Sequence, residues 1–223
     1  MATMDMRKAR EEFLTFLRNS DILSTTQRGV TTISDNFTAT LSQTIFSLNS
    51  VNARNIRTVT VDSVAKNVYE EYAPGYNVGT SSTITFVTGV ALSSDVSILY
   101  DYSSGTKDKV WPDYPDIMFL AADTPRVGFD FISMRTKPIG IGTVNWLTDA
   151  LVRTKFYSLG AYLPIDEFIT TFRAALKAAQ KKFYHFKIAH VGDMSPVNPT
   201  VVGKTGKVLE RSVDTVLQFN FES

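Results

Sequence analysis

Apolar residues recur along this chain with two different periods, and the changes of period divide it. Between Ile165 and Ala179 the residues Ile165, Phe168, Ile169, Phe172, Leu176 and Ala179 fall at helical spacing, which lines one face of a helix. Pro164 suits a first helical position, Asp166 and Glu167 complement the positive end of the helix dipole, and Lys177, Lys181 and Lys182 the negative end. The spacing therefore predicts a helix over 165–182. A second amphipathic helix is predicted from Asp5 to Asn19, with Met6, Ala9, Phe13, Phe16 and Leu17 on its apolar face. The polar run Asn19-Ser20-Asp21 ends it. Such a terminal helix must cover something, and the C-terminal part of the chain is the expected surface.

From about Thr38 to Tyr102 the period becomes two. Strands are predicted at Thr44–Leu48, Ile56–Asp62, Val64–Tyr69, Tyr76–Val78, Thr83–Val87 and Asp95–Tyr102, with Asp62-Ser63 as a tight turn. Short strands at this spacing, punctuated by Gly75, Gly79, Gly89 and Gly105, point to a small antiparallel sandwich or barrel. The preceding stretch, Ser24 to Phe37, is polar, Thr-rich and weakly patterned, and is expected to be an extended connection. Val110-Trp111-Pro112-Asp113-Tyr114-Pro115-Asp116 is an extended boundary, held by its bulky aromatics.

Beyond it, strands are expected at Arg126–Ser133, Thr148–Tyr157, Phe183–Val191 and Val208–Phe221. Long loops are expected at Met134–Asn145 and Gly192–Thr205. The resulting class is α+β. Four segments follow: 1–37 as helix and arm, 38–105 as a β-sandwich module, 106–124 as an ordered linker and 125–223 as the core domain.

Composition narrows the chemistry. The chain has 223 residues, enough to bury a substantial core. Its net charge of +1 gives no global electrostatic argument for nucleic acid. With no cysteine, disulfides, thiolate chemistry and cysteine-bound metals are excluded. The first residues are polar with no apolar h-region, and no apolar run is long enough to span a membrane.

The motifs that tempt a catalytic reading fail on spacing. Gly203-Lys204-Thr205 ends like a P-loop, but position 198 is Asn198 where the first glycine belongs, and strand rather than helix follows. Gly140-Ile141-Gly142 lacks a third glycine and a following helix. His185 and His190, five apart on an expected strand, point to opposite faces and do not share a metal. Neither Ser133 nor Ser195 sits in a nucleophile elbow. Glu70-Glu71 and Asp166-Glu167 are adjacent pairs explained by solvation and capping. No enzyme, cofactor or metal site is expected. Tyr69, Tyr72, Tyr76, Tyr100 and Tyr102 admit two readings, a ligand-binding platform or half-buried packing.

Several stretches taken together resemble a known family. Pro125-Arg126-Val127-Gly128-Phe129-Asp130-Phe131-Ile132, the loop Lys137-Pro138-Ile139-Gly140-Ile141-Gly142, the helix from Ile165 to Lys182 and the closing Leu209-Glu210-Arg211-Ser212-Val213-Asp214 resemble tail-terminator and neck proteins of tailed, bacteriophage-like viruses. Val59-Thr60-Val61-Asp62, Ile84-Thr85-Phe86 and Ile98-Leu99-Tyr100-Asp101-Tyr102 resemble β modules carried on virion proteins. The chain is longer than many terminators, the β module standing as an insertion before the terminator-like core.

The resemblance implies a structural ring, usually six-fold, at the head–tail junction of a virion. One face would meet the tail tube protein and the other the head-side connector, with DNA passing through the lumen without sequence-specific binding. Stopper and adaptor proteins are the neighbouring possibilities, and a receptor- or carbohydrate-binding β module is the rival from another class. On the ring reading Lys137, Ile139, Ile141 and Trp146 form the candidate docking loop, since apolar loop residues are hard to justify on a monomer surface.

Overall fold

The computed structural model describes residues 6–77, 79–103, 108–111, 124–138, 146–161, 163–180, 182–196, 198–201 and 207–221. The chain opens with α1 (Met6–Asn19), a single turn α2 (Thr25–Arg28), β1 (Thr31–Thr38), β2 (Gln43–Val51), β3 (Ala53–Val61) and β4 (Val64–Ala65). There follow β5 (Tyr72–Gly75), β6 (Ser81–Val90), β7 (Asp95–Tyr102) and β8 (Val110–Trp111). The rest comprises β9 (Arg126–Pro138), β10 (Trp146–Leu159), α3 (Leu163–Ala179), β11 (Lys187–Met194), β12 (Asn198–Val201) and β13 (Lys207–Phe221). The class is mixed α+β, with mostly antiparallel sheets and few helices. Two compact units result, one of residues 25–108 and one of residues 1–24 with 109–223.

In the unit of residues 25–108, a sheet of order β1-β7-β3-β4 and another of order β2-β6-β5 enclose a core. Their alternating residues Phe46, Leu48, Ile56, Val59, Ile84, Phe86, Val96, Ile98 and Tyr100 are buried. The turn at Asp62-Ser63 is present as expected, with φ of 49° and 66°. Both residues are left-handed, as a two-residue hairpin between β3 and β4 requires. Elsewhere the local pattern misleads. Val64 to Tyr69 carries only the two-residue β4, and the strand that pairs with β6 is Tyr72–Gly75, ahead of the expected one at Tyr76, whose last residue Val78 lies outside the described residues.

The stretch expected to be an extended connection is instead α2 and β1, and it lies within this unit, so the division falls at 24/25 rather than 37/38. All eight residues of β1 pair with β7. An inward position of β1 is filled by Asp35, a carboxylate where a hydrophobic residue would announce a strand. Asp35 is buried but satisfied, because its Oδ2 accepts from the Tyr100 hydroxyl at 2.8 Å and the Asn49 amide at 2.7 Å.

Arg28 ends α2 and is 1% exposed. It forks onto Asp108, Nε to Oδ1 at 3.2 Å and Nη2 to Oδ2 at 2.6 Å, while Nη1 donates to Asp101 Oδ2 at 2.8 Å. Asp101, fully buried, also accepts from Arg57 Nε at 2.7 Å and the Thr32 hydroxyl at 2.6 Å. Burial alone would raise its pKa, but the hydrogen bonds from Arg57 and Thr32 and the charge of Arg28 outweigh burial and hold it below the ordinary carboxylate value. Burial alone would lower the pKa of Arg28, but Asp108, and after it Asp101, outweigh burial and raise its already high value.

In the other unit one sheet runs β11-β13-β10-β9-β8, with β12 also paired to β13. Only β8 against β9 is parallel. Helices α1 and α3 contribute Ala9, Phe13, Leu17, Ile165, Phe168, Ile169, Phe172 and Leu176 to one core with Val127, Phe129, Val152, Phe156, Val213, Leu217 and Phe219 of the sheet. Phe13 meets Phe129 edge-on at 5.0 Å, and Phe156 lies 5.3 Å from Phe172. The first helix thus covers the C-terminal sheet, as its stripe predicts.

β11 begins four residues later than the expected strand. The amides of Tyr184 and His185 donate to Glu12 of α1, at 2.6 and 3.0 Å, and are taken from the ladder. Phe183 and Phe186 stack at 4.4 Å against the core instead. The expected loop at Met134–Asn145 is also shorter, because β9 continues as strand to Pro138. Within the expected loop at Gly192–Thr205, β11 runs on to Met194 and β12 occupies Asn198–Val201.

Replacing Arg28 by Met leaves two buried carboxylates without their shared cation and is expected to cost about 3–5 kcal/mol. Urea unfolding with amide exchange read on β1 and β7 measures it. In the unaltered protein Asp101, with its lowered folded pKa, stabilises at pH above its unfolded value near ~3.9. That contribution is lost as pH falls through the lower folded value, so an acid titration followed by far-ultraviolet circular dichroism should lose structure only below about pH 4.

Candidate functional site

The helices cover only one face of the sheet in the unit containing β9 to β13. In the register of β10 on β13, Ala150, Val152, Thr154 and Phe156 share the helix side with Leu217, Thr215, Val213 and Arg211. The opposite face carries Asp149, Arg153 and Lys155 beside Gln218, Asp214, Ser212 and Glu210. These charges answer one another. Arg153 is bidentate to Asp214 at 2.7 and 2.8 Å, Lys155 meets Glu210 at 2.8 Å, and Gln218 donates to Asp149 at 3.1 Å. Leu147, Leu151, Tyr157 and Val216 stand among these charges on the same face, so it mixes paired charges with apolar residues.

Both outer edges of this sheet are open among the described residues. Among the described residues β8 pairs with β9 at Val127 and Gly128, and none of them neighbours β9 from Phe129 to Pro138 on its outer side. From Ile132 onward β9 is exposed, including Ile132 at 43% and Met134 at 51%. A bulge at Ile132, between the pairs Phe131↔Val152 and Ser133↔Leu151, bends it there. A groove of about 640 Å³ runs beside the bulge, between Met6, Arg10 and Leu14 of α1 and Phe131, Ile132 and Met134 of β9. At the far end, β11 pairs with β13 on one side only, with Ala189, His190, Asp193 and Met194 exposed.

Of the expected docking residues, Lys137 and Trp146 lie at the facing ends of β9 and β10. Lys137 is exposed near the end of β9, opposite Leu147, with Nζ 3.4 Å from Asp149. Trp146 opens β10, in register with Pro138 and Phe221. Ile139 and Ile141 lie outside the described residues. The sequence points to the tip and not to the edges, because which strand lies at the end of a sheet is decided by topology.

The remaining candidates have ordinary employment. His185 is not on a strand, and its Nδ1 lies 3.0 Å from Glu12 Oε2, while His190 is exposed on β11. Ser195 Oγ accepts from the Ser212 amide at 2.9 Å and donates to the Pro196 carbonyl. Glu71 holds Lys66 and the Asn67 amide, and the Asn67 hydrogen bond, then Lys66, lowers its pKa. Asp166 holds Arg211 at 2.5 Å. Gly203-Lys204-Thr205 lies outside the described residues, between the paired strands β12 and β13. Among the described residues no group of three His, Asp or Glu converges as a metal ion would require, and no helix is long and apolar enough to cross a membrane.

The tyrosines of the β unit form no exposed platform. Tyr72 and Tyr100 are buried, and Tyr76 and Tyr102 pack against the same core. Burial raises the Tyr72 hydroxyl pKa, with the neighbouring Tyr76 adding to it. No protein-family model matches the chain, and no curated protein matches it in sequence.

The two kinds of carboxylate should differ in unfolding experiments. Asp214→Asn removes a half-exposed pair and is expected to change stability by less than about 1 kcal/mol. Glu12→Ala strands buried donors and is expected to cost about 2–4 kcal/mol. Tryptophan-monitored urea denaturation checks both, since Trp111 and Trp146 both belong to this unit.

Proposed function

We propose that this chain is a structural subunit of a closed ring at the head–tail junction of a tailed virion, a tail-terminator or neck protein. It would end the tail tube on one side, meet the head-side connector on the other and leave a lumen for DNA. The observation that carries the reading is the pair of edges that are open among the described residues of one sheet, β9 at one end and β11 at the other. Two different edges meeting head to tail make a heterologous contact, which closes into a ring when the rotation between neighbours divides the circle. Backbone pairing along β9 and β11 would supply that contact by strand addition. The likeness of Pro125–Ile132, the Ile165–Lys182 helix and Leu209–Asp214 to terminators supports the virion setting. Membership of the stopper or adaptor group rests on the same edges.

Two edge variants test it. Ile132→Asp with Met134→Asp burdens the β9 edge, and Ala189→Asp burdens the β11 edge. Light scattering and negative-stain images of the unaltered protein are expected to show closed rings, most simply of six copies. Each variant alone is expected to be monomeric with unchanged circular dichroism. Mixed, the two should give only a one-to-one dimer, since each retains one good edge. Rings that survive both variants would refute the edge contact. An unaltered protein that stays monomeric and neither binds nor caps tail tubes would refute the virion-joint reading.

A further inference from the structure

Charge is missing from one part of the unit of residues 25–108. From Asn36 to Ala53, and again from Tyr72 to Ser94, there is no Asp, Glu, Lys or Arg, although these make up 20% of the chain. The two stretches contain β2, β5 and β6 and the turns that join β1 to β2 and β6 to β7. Those turns lie side by side. The Ala39 amide donates to the Ser94 carbonyl and the Ser93 amide to the Ala39 carbonyl, both at 2.9 Å. Gly89 closes the packing, since a Cβ there would stand 2.9 Å from the Ser42 backbone.

Each turn presents a leucine. Leu41 is 75% exposed and Leu92 63%. Each precedes a serine in the left-handed region, with φ of 56° at Ser42 and 64° at Ser93, a conformation that a residue other than glycine keeps only where its surroundings fix it. The leucines are therefore held out on fixed backbone. Beside them opens a hollow of about 350 Å³, whose apolar lining is Val61, Phe86, Val87, Val90 and Ala91. Its charged lining is Asp62, Glu70 and the Lys66–Glu71 pair, 3.0 Å apart. Ala91 and Ser94 of the hollow flank Leu92 in the chain, so tip and hollow belong to one end of the unit.

We propose that this unit pairs with a second copy of the chain across a two-fold axis, the leucine tips of each copy seating in the hollow of the other. Tip and hollow on one end are what an isologous contact needs, since one residue then meets a second while the second meets the first. Near the axis each group faces its own copy, so a charge there would repel itself. The charge-free stretches remove that cost. Other occupants fit less well. Among the described residues no aromatic of this unit is exposed to stack on a sugar. No cation lies in the two stretches to draw an acidic partner or an anionic lipid. Two leucines and one hollow per copy make a contact below the ~1,200 Å² of a stable interface. Dilute copies therefore stay apart, and the pairing counts where an assembly holds copies close together. The inference does not rest on the ring reading.

Sedimentation of the Ile132→Asp, Met134→Asp variant, whose ring edge is blocked, tests the contact by itself. Its weight-average mass should rise toward that of two copies between about 10 µM and about 1 mM. Adding Leu41→Asp and Leu92→Asp should hold it at one copy throughout, with circular dichroism unchanged because both side chains are exposed. The chain has no cysteine, so Leu92→Cys supplies a single thiol. A short thiol-to-amine cross-linker, applied to a mixture of isotopically light and heavy copies, should join that thiol to the second copy's Lys66, which lines the hollow. A mass that stays at one copy up to about 1 mM, pairing that survives the leucine changes, or links between copies that avoid Lys66 would each overturn the proposal. So would flotation with phosphatidylcholine vesicles in place of pairing, abolished by the leucine changes, which would make the tips a lipid contact. Pairing by a protein that forms no ring keeps this inference while the ring reading fails, and rings without pairing do the reverse.

Discussion

The β unit depends on one buried cation. Arg28 has been taken out of water together with Asp101 and Asp108, and burying charge in a low-dielectric interior is repaid only when nearly every polar atom finds a partner. Here the guanidinium spends its fork on one carboxylate and a third donor on the other, while Arg57 and Thr32 complete Asp101. The arrangement is more valuable for what it specifies than for net stability. A hydrophobic cluster of similar volume would do as well energetically, but it would not fix the turn before β1 against the end of β7 and the chain beyond it. Arg28 and Asp108 lie 80 residues apart, near the two ends of the unit, so one ion pair ties its first turn to its last residue.

A different constraint shapes the other unit. Its helices can cover only one face of the sheet, and the uncovered face must be water-compatible without being a random scatter of charge. The register provides the solution. Arg153 sits directly opposite Asp214, and Asp149, opposite the neutral Gln218, has Lys137 of β9 within 3.4 Å, so these charges find their counterparts within the sheet. Each exposed pair contributes little to stability. Together they leave a face with no strong charge of its own, so that the edges left open among the described residues become the parts with something to offer.

The legibility of these features in the sequence follows the range of the forces involved. α1, α3 and β13 were legible because an apolar stripe of fixed period is a local signal, and each element is long enough to repeat it. β1 was not, because the buried Asp35 is satisfied by Tyr100, 65 residues away. The start of β11 was misplaced because Glu12, more than 170 residues earlier, competes for its amides. β9 past Ser133 looks like loop in the sequence because an exposed strand has no apolar face to announce it. Of the candidate site, Lys137 and Trp146 could be placed on the strands beside the tip, but openness of an edge is a property of topology and has no residue-level signature.

Open edges are hazardous, and the form of these two bears on what they are for. A long flat edge invites uncontrolled strand addition, and proteins blunt it with lysine, proline and bulges. β9 carries Lys137 and Pro138 at its far end and a bulge at Ile132, while β11 is broken by irregularities at Ala189 and between Val191 and Met194. Neither edge is therefore a generic template. Each has a bent profile that a flat strand would match poorly, which restricts partners to those of complementary bend. On the ring reading, one such edge has evolved against the other, and closure leaves no edge exposed. A heterologous contact that did not close would instead propagate as a filament. The bulges that limit wrong pairing would then also set the rotation between neighbours, so that the irregularities of β9 and β11 would determine the number of copies in the ring.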